Sequence, residues 1–82
     1  MLAGERALEE LEVVSVPGAL PGDGLALEQA LARLPLEQRE TVVLHAVEGL
    51  TFREIGAVTA TRVWTVASRY RLGIQRLRRL LQ

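Results

Sequence analysis

The chain has 82 residues, room for one small domain whose core is only marginally sufficient without a partner. Its hydrophobic fraction of 49% marks a globular chain, and no apolar run approaches the roughly 18 residues of a membrane span. There is no cysteine, and His45 is the one histidine, so disulfides and thiolate metal sites are excluded and metal chemistry has little to stand on.

Formal charge is zero, but it is unevenly spread. Up to Glu40 the acids Glu5, Glu9, Glu10, Glu12, Asp23, Glu28, Glu37 and Glu40 outnumber Arg6, Arg33 and Arg39. From Thr41 onward Arg53, Arg62, Arg69, Arg71, Arg76, Arg78 and Arg79 face only Glu48 and Glu54, an asymmetry that points to a polyanionic partner for the second half. Every basic residue is arginine, which suits bidentate contacts to phosphate and guanine, although a GC-rich coding sequence would produce the same bias.

The N-terminus, MLAGERALEELE, carries early acids and no sustained apolar core, unlike a secretory signal, and a cytoplasmic protein is expected. Ala7, Leu8, Leu11 and Val14 fall at helical spacing, so a short amphipathic helix over residues 3–14 is favoured over an extended LEVVSV segment. PGALPGDG, residues 17–24, reads as a linker separating an acidic segment, 1–16, from a domain, 25–82.

In that domain Leu25, Leu27, Ala30, Leu31 and Leu34 predict a helix that Pro35 ends, with Asp23 available near its start. Pro35 can occupy the first turn of the next helix, which runs to about Glu48 and stops at Gly49, with Val42, Val43, Ala46 and Val47 on its inner face. Thr51 and Glu54 have the spacing of a capping box and predict a helix over about residues 52–58. The run Thr59, Ala60, Thr61 weakens helical propensity, and Thr61 can cap a new start.

The last helix has Val63, Val66, Tyr70, Ile74, Leu77 and Leu81 on one face. The opposite face carries Trp64, Thr65, Ser68, Arg71, Leu72, Gln75 and Arg79, with Arg69 and Arg76 on its shoulder. The expected architecture is all-α: a small helical bundle of four helices with short connections, ending in a helix-turn-helix of winged-helix-like DNA-binding class but without a wing.

LPLEQRETVVLHAVEGLTFREIG followed by TVASRYR resembles region 4 of the sigma-70 family, especially its small extracytoplasmic-function branch. The resemblance covers roughly residues 25–81 and rests on LP-x-EQRE, LTFREI and T-V-x-S-R in that order. It implies recognition of the −35 element of double-stranded promoter DNA by the last helix, docking on the β flap of RNA polymerase, and anti-sigma factors as further partners. Thr65, Ser68, Arg69 and Arg71 match positions on or beside the DNA-facing side, with Ser68 the most direct candidate for a base edge and Gln75 on the same face. Arg39 and Thr51 match phosphate-contacting positions, although Thr51 serves equally as a cap and Arg39 can pair with nearby glutamates.

Three residues depart from the family pattern. Ala60 stands where a small turn residue, often glycine, is common; at positive φ it would cost about 1 kcal/mol and could reshape the turn. Arg62 replaces serine or proline and could add a phosphate contact, while Trp64 replaces a small or polar residue and must meet bases, the domain or a protein partner.

The resemblance gives the chain no region 2, so as given it is not expected to melt a promoter, and Met1 with the acidic leader favours a stand-alone short protein. His45, mid-helix and without a second ligand at metal spacing, reads as structural; no triad-like arrangement, catalytic residue, metal site or cofactor is expected. Two rival readings are a protein-interaction module on the same scaffold that has lost DNA readout, motivated by Trp64 and Leu72, and a helix-turn-helix regulator of another kind.

Overall fold

A computed structural model describes residues 2–14, 16 and 24–82, and the side chains from residue 6 onward. Five helices follow in order: α1 (Leu2–Glu12), α2 (Gly24–Ala32), α3 (Leu36–Ala46), α4 (Phe52–Thr59) and α5 (Val63–Leu80), with no strand among the described residues. The chain is all-α, as the periodicity predicts. The linker expected at residues 17–24 and the role given to Asp23 lie outside the described residues, except Gly24, which opens α2.

The hub is α5, which packs against each of the other four helices. Its inner stripe, Val66, Tyr70, Ile74 and Leu77, is buried, and Ala67 and Gly73 join it. Leu8 of α1, Ala30 of α2, Leu34, Val42 of α3, and Phe52 and Ile55 of α4 complete one core. Burying these apolar surfaces is the main stabilising term for a chain this short. Leu8 matters here because it makes α1 contribute to that core, with Leu11, Val14 and Val16 packed beside it. Leu25, by contrast, faces solvent at the start of α2 although it belongs to the apolar set read from the sequence.

Helix α3 corrects the sequence reading most. It begins at Leu36, with Pro35 in the N-cap position rather than the first turn, and ends at Ala46 rather than Glu48. Its inner face is Gln38, Thr41, Val42 and His45, whereas Ala46 is exposed, Val47 is 70% exposed and Val43 only half-buried. The reason is close approach to α5. A Cβ on Gly73 would lie 2.8 Å from Val42 Cγ2 and 3.5 Å from the Gln38 Cβ, so the missing side chain lets α3 press its 38–42–45 stripe onto α5. Two of the polar side chains brought inside meet backbone carbonyls: Thr41 Oγ1 donates to the Glu37 carbonyl at 2.9 Å, and each His45 ring nitrogen lies 2.7 Å from one, whereas Gln38 Oε1 is buried with no hydrogen-bond partner among the described residues. Gly49, at φ 78, turns the chain so that the Leu50 amide reaches the Leu44 carbonyl at 3.0 Å.

Candidate nucleic-acid interface

The helix-turn-helix is built from local signals. Thr51 Oγ1 accepts from the Glu54 amide at 3.1 Å and Glu54 Oε1 accepts from the Thr51 amide at 2.8 Å, a complete capping box that starts α4 where the spacing predicts. Ala60 ends α4 in the left-handed region (φ 53, ψ 43), and the Thr61 amide bonds back to the Gly56 carbonyl at 2.8 Å. The turn is therefore not reshaped by alanine; it keeps the left-handed residue and carries the strain. Gly56 is needed beneath it, because a Cβ there would sit 2.7 Å from the Thr61 carbonyl oxygen.

The expected cap at Thr61 is corrected. The N-cap of α5 is Arg62, which makes no side-chain capping bond, while the Thr61 hydroxyl is turned back onto the Thr59 carbonyl at 3.1 Å. The Arg62 carbonyl accepts from the Thr65 and Val66 amides at 3.0 Å, and no acid lies in the first turn of α5. This leaves the start of α5 without a side-chain anion of its own, at the end where a helix attracts negative charge.

On the outer face of α5 Trp64, Thr65, Arg71, Leu72, Gln75, Arg76, Arg78 and Arg79 are exposed, and Ser68 and Arg69 are half-buried. Trp64 is 57% and Leu72 42% exposed, so neither folds into the core. From Arg62 to Gln82 there is no acidic residue. The candidates Arg62, Trp64, Thr65, Ser68, Arg69, Arg71 and Gln75 thus belong to one continuous element. Thr51 is exposed at the start of the preceding helix. Arg39 stands apart on α3: it is half-buried, and its Nε is buried with no hydrogen-bond partner among the described residues.

Behind this face, His45, Phe52 and Tyr70 form an aromatic cluster with ring centroids 4.9 to 5.3 Å apart. His45 Nδ1 lies 2.7 Å from the Leu50 carbonyl and Nε2 lies 2.7 Å from the Glu12 carbonyl, joining α1 to the α3–α4 connection. The Tyr70 hydroxyl donates to the Val14 carbonyl at 2.7 Å, and burial pushes its pKa above the ordinary 10.0.

One participant escapes sequence reasoning. Glu12 Oε2 accepts from the Phe52 amide at 3.1 Å, placing an α1 carboxylate on the N-terminus of α4, beside Thr51. The two residues are 40 positions apart, and no local pattern signals the contact. Among the described residues no group of three or more potential ligands could hold a metal ion, and no helix is long and apolar enough to cross a membrane.

Residues 24–77 match the family model described as Sigma-70, region 4. The ECF RNA polymerase sigma factor SigE of Mycolicibacterium smegmatis is 47% identical over 55 residues, which cover 67% of this chain and 21% of that protein. The chain therefore spans about a fifth of the length of that relative. No solved structure matches. The matched segment contains α2, α3, α4, the left-handed turn and α5 as far as Leu77, its last fully buried residue, and on that evidence the chain belongs to the sigma-70 region 4 family of helix-turn-helix transcription domains.

Proposed function

We propose that the chain binds promoter DNA through the outer face of α5, reading a −35 element, with residues 25–82 as the binding unit. One observation carries the reading: the helix that follows the left-handed turn buries Val66, Tyr70, Ile74 and Leu77 of its apolar stripe and leaves outward an acid-free face fringed by Arg62, Arg69, Arg71, Arg76, Arg78 and Arg79. A helix of this width fits the major groove, where its N-terminal half meets base edges while the preceding helix braces it across the backbone. Ser68 and Arg71 are assigned to bases, with Thr65 and Gln75 beside them; Arg39, Thr51, Arg62 and Arg69 are assigned to phosphates.

Docking on the RNA polymerase β flap is supported by a second surface. The outward side of α3 shows Leu36 and Val47 to solvent with half-buried Val43 between them, an apolar strip away from α5. An anti-sigma factor would use one of these two faces. The function is binding rather than catalysis.

The exposed Trp64 and Leu72 favour a second reading, a protein-interaction module in which the same face of α5 meets a protein instead of a groove. Titration of −35-like and scrambled duplexes at several salt concentrations separates the two. Binding that prefers the −35-like duplex and weakens steeply with salt is expected for groove and phosphate contacts. No measurable duplex affinity at low salt would replace the DNA reading with the protein-interaction one.

A further inference from the structure

The capping box at the start of α4 satisfies the Thr51 and Glu54 amides and leaves the Phe52 amide to a group from elsewhere. That group is the Glu12 carboxylate, 3.1 Å away. A carboxylate on a helix N-terminus offers the same chemistry as a phosphate oxygen: negative charge against the positive end of the dipole, accepting from a main-chain amide. Glu12 does not act alone. Leu8, Glu9 and Glu12 of α1 line a cleft whose other walls are Thr51 and Arg53 of α4 and Val63 at the start of α5. The acidic helix is thus seated where the two helices of the helix-turn-helix begin.

We propose that α1 is a built-in competitor of DNA: Glu12 holds, on the Phe52 amide, an anion position that a duplex phosphate takes when the helix-turn-helix engages. The proposal rests on the DNA-binding reading above. The competitor is held in place by contacts that do not involve its carboxylate. Leu8 is buried in the core, the Glu12 carbonyl lies 2.7 Å from His45 Nε2, and the Val14 carbonyl accepts from Tyr70 at 2.7 Å. Removing the charge of Glu12 therefore leaves α1 docked and opens only the anion position.

Glu12→Gln removes that charge. Glu10→Gln removes an equal charge from an exposed residue of the same helix that does not line the cleft, so it controls for net charge. Glu12→Asp keeps the charge but shortens its reach to the Phe52 amide. In duplex titrations near physiological salt, where charges separated by more than roughly 8 Å are screened, Glu12→Gln and Glu12→Asp should tighten binding about two- to fivefold. Glu10→Gln should change it much less. Thermal unfolding of all three variants verifies that they fold, and the Phe52 amide resonance should move on duplex addition in the unsubstituted chain as Glu12 is displaced. Equal effects of Glu12→Gln and Glu10→Gln, weaker binding by Glu12→Gln, or an unmoved Phe52 amide overturns the competition and leaves the DNA reading standing. No duplex binding by any of the four chains overturns the DNA reading, and the competition falls with it.

Discussion

The Tyr70 hydroxyl and the Val14 carbonyl meet at 2.7 Å across 56 residues of sequence, tying the middle of α5 to the residue pair that follows α1. Tyr70→Phe keeps the ring against Phe52 and His45 but leaves a half-buried carbonyl without its donor. The expected loss is about 1 to 2 kcal/mol, read as a Tm lower by several degrees.

The same hydroxyl sets an alkaline limit. Its pKa is raised by burial, so the folded state holds the proton longer than the unfolded one. Stability from this group is complete below the unfolded value of 10.0 and is lost as pH rises through the higher folded value. Tyr70 is the chain's one tyrosine. Unfolding measured across that range should therefore lose the tyrosine-linked part of its alkaline decline in Tyr70→Phe, and tyrosinate absorbance in the unsubstituted chain should rise only above the pH typical of free phenols.

Ala60 supplies a prediction of opposite sign. An L-residue at φ 53 carries strain that glycine does not, offset in part by the greater freedom of glycine in the unfolded chain. Ala60→Gly should stabilise by about 0.5 to 1 kcal/mol in denaturant unfolding without altering the slope. A neutral or destabilising result would mean that the turn between α4 and α5 is not left-handed in solution.

Gly56→Ala should do the reverse although alanine is the better helix former. The new Cβ would meet the Thr61 carbonyl oxygen at 2.7 Å, and backbone cannot yield as a flexible side chain can. A cost of about 1 to 3 kcal/mol for overpacking outweighs a gain of about 1 kcal/mol in propensity. Because the turn must open, duplex affinity should fall along with stability.

Ser68→Ala and Arg71→Ala test base readout directly. Each should reduce the preference for a −35-like over a scrambled duplex by about 1 to 3 kcal/mol. Equal losses on both duplexes would reassign them to the backbone. Trp64, the one tryptophan, reports on the same face: its emission should change on duplex addition, and an unchanged spectrum with intact binding would put the indole outside the groove.

Some of this was legible in residues a few positions apart. The inner stripe of α5 and the capping box at Thr51 are set by interactions within one or two helical turns, and the structure has them where the spacing predicts; Gly49 takes the left-handed conformation expected of it, although α3 ends earlier, at Ala46. Of the inner face of α3 only Val42 was legible. Val43, Ala46 and Val47 are the other apolar choices, yet the face is chosen by the gap at Gly73 thirty or so residues later, and Thr41 and His45 sit inside with the carbonyls of Glu37, Leu50 and Glu12 within hydrogen-bonding distance. The helix start at Arg62 was misread for a similar reason, since the Thr61 hydroxyl is claimed by Thr59 in the turn.

The sequence by itself determined the helices, the capping box at Thr51, the family and the arginine-fringed face, because periodicity, capping and charge order depend on neighbours along the chain. Only the tertiary structure decided that α1 joins the core and that Glu12 sits on the Phe52 amide. Those contacts exist because the chain folds back and brings residues 40 and 56 positions apart within hydrogen-bonding distance, and no pattern in the intervening residues specifies which groups will meet.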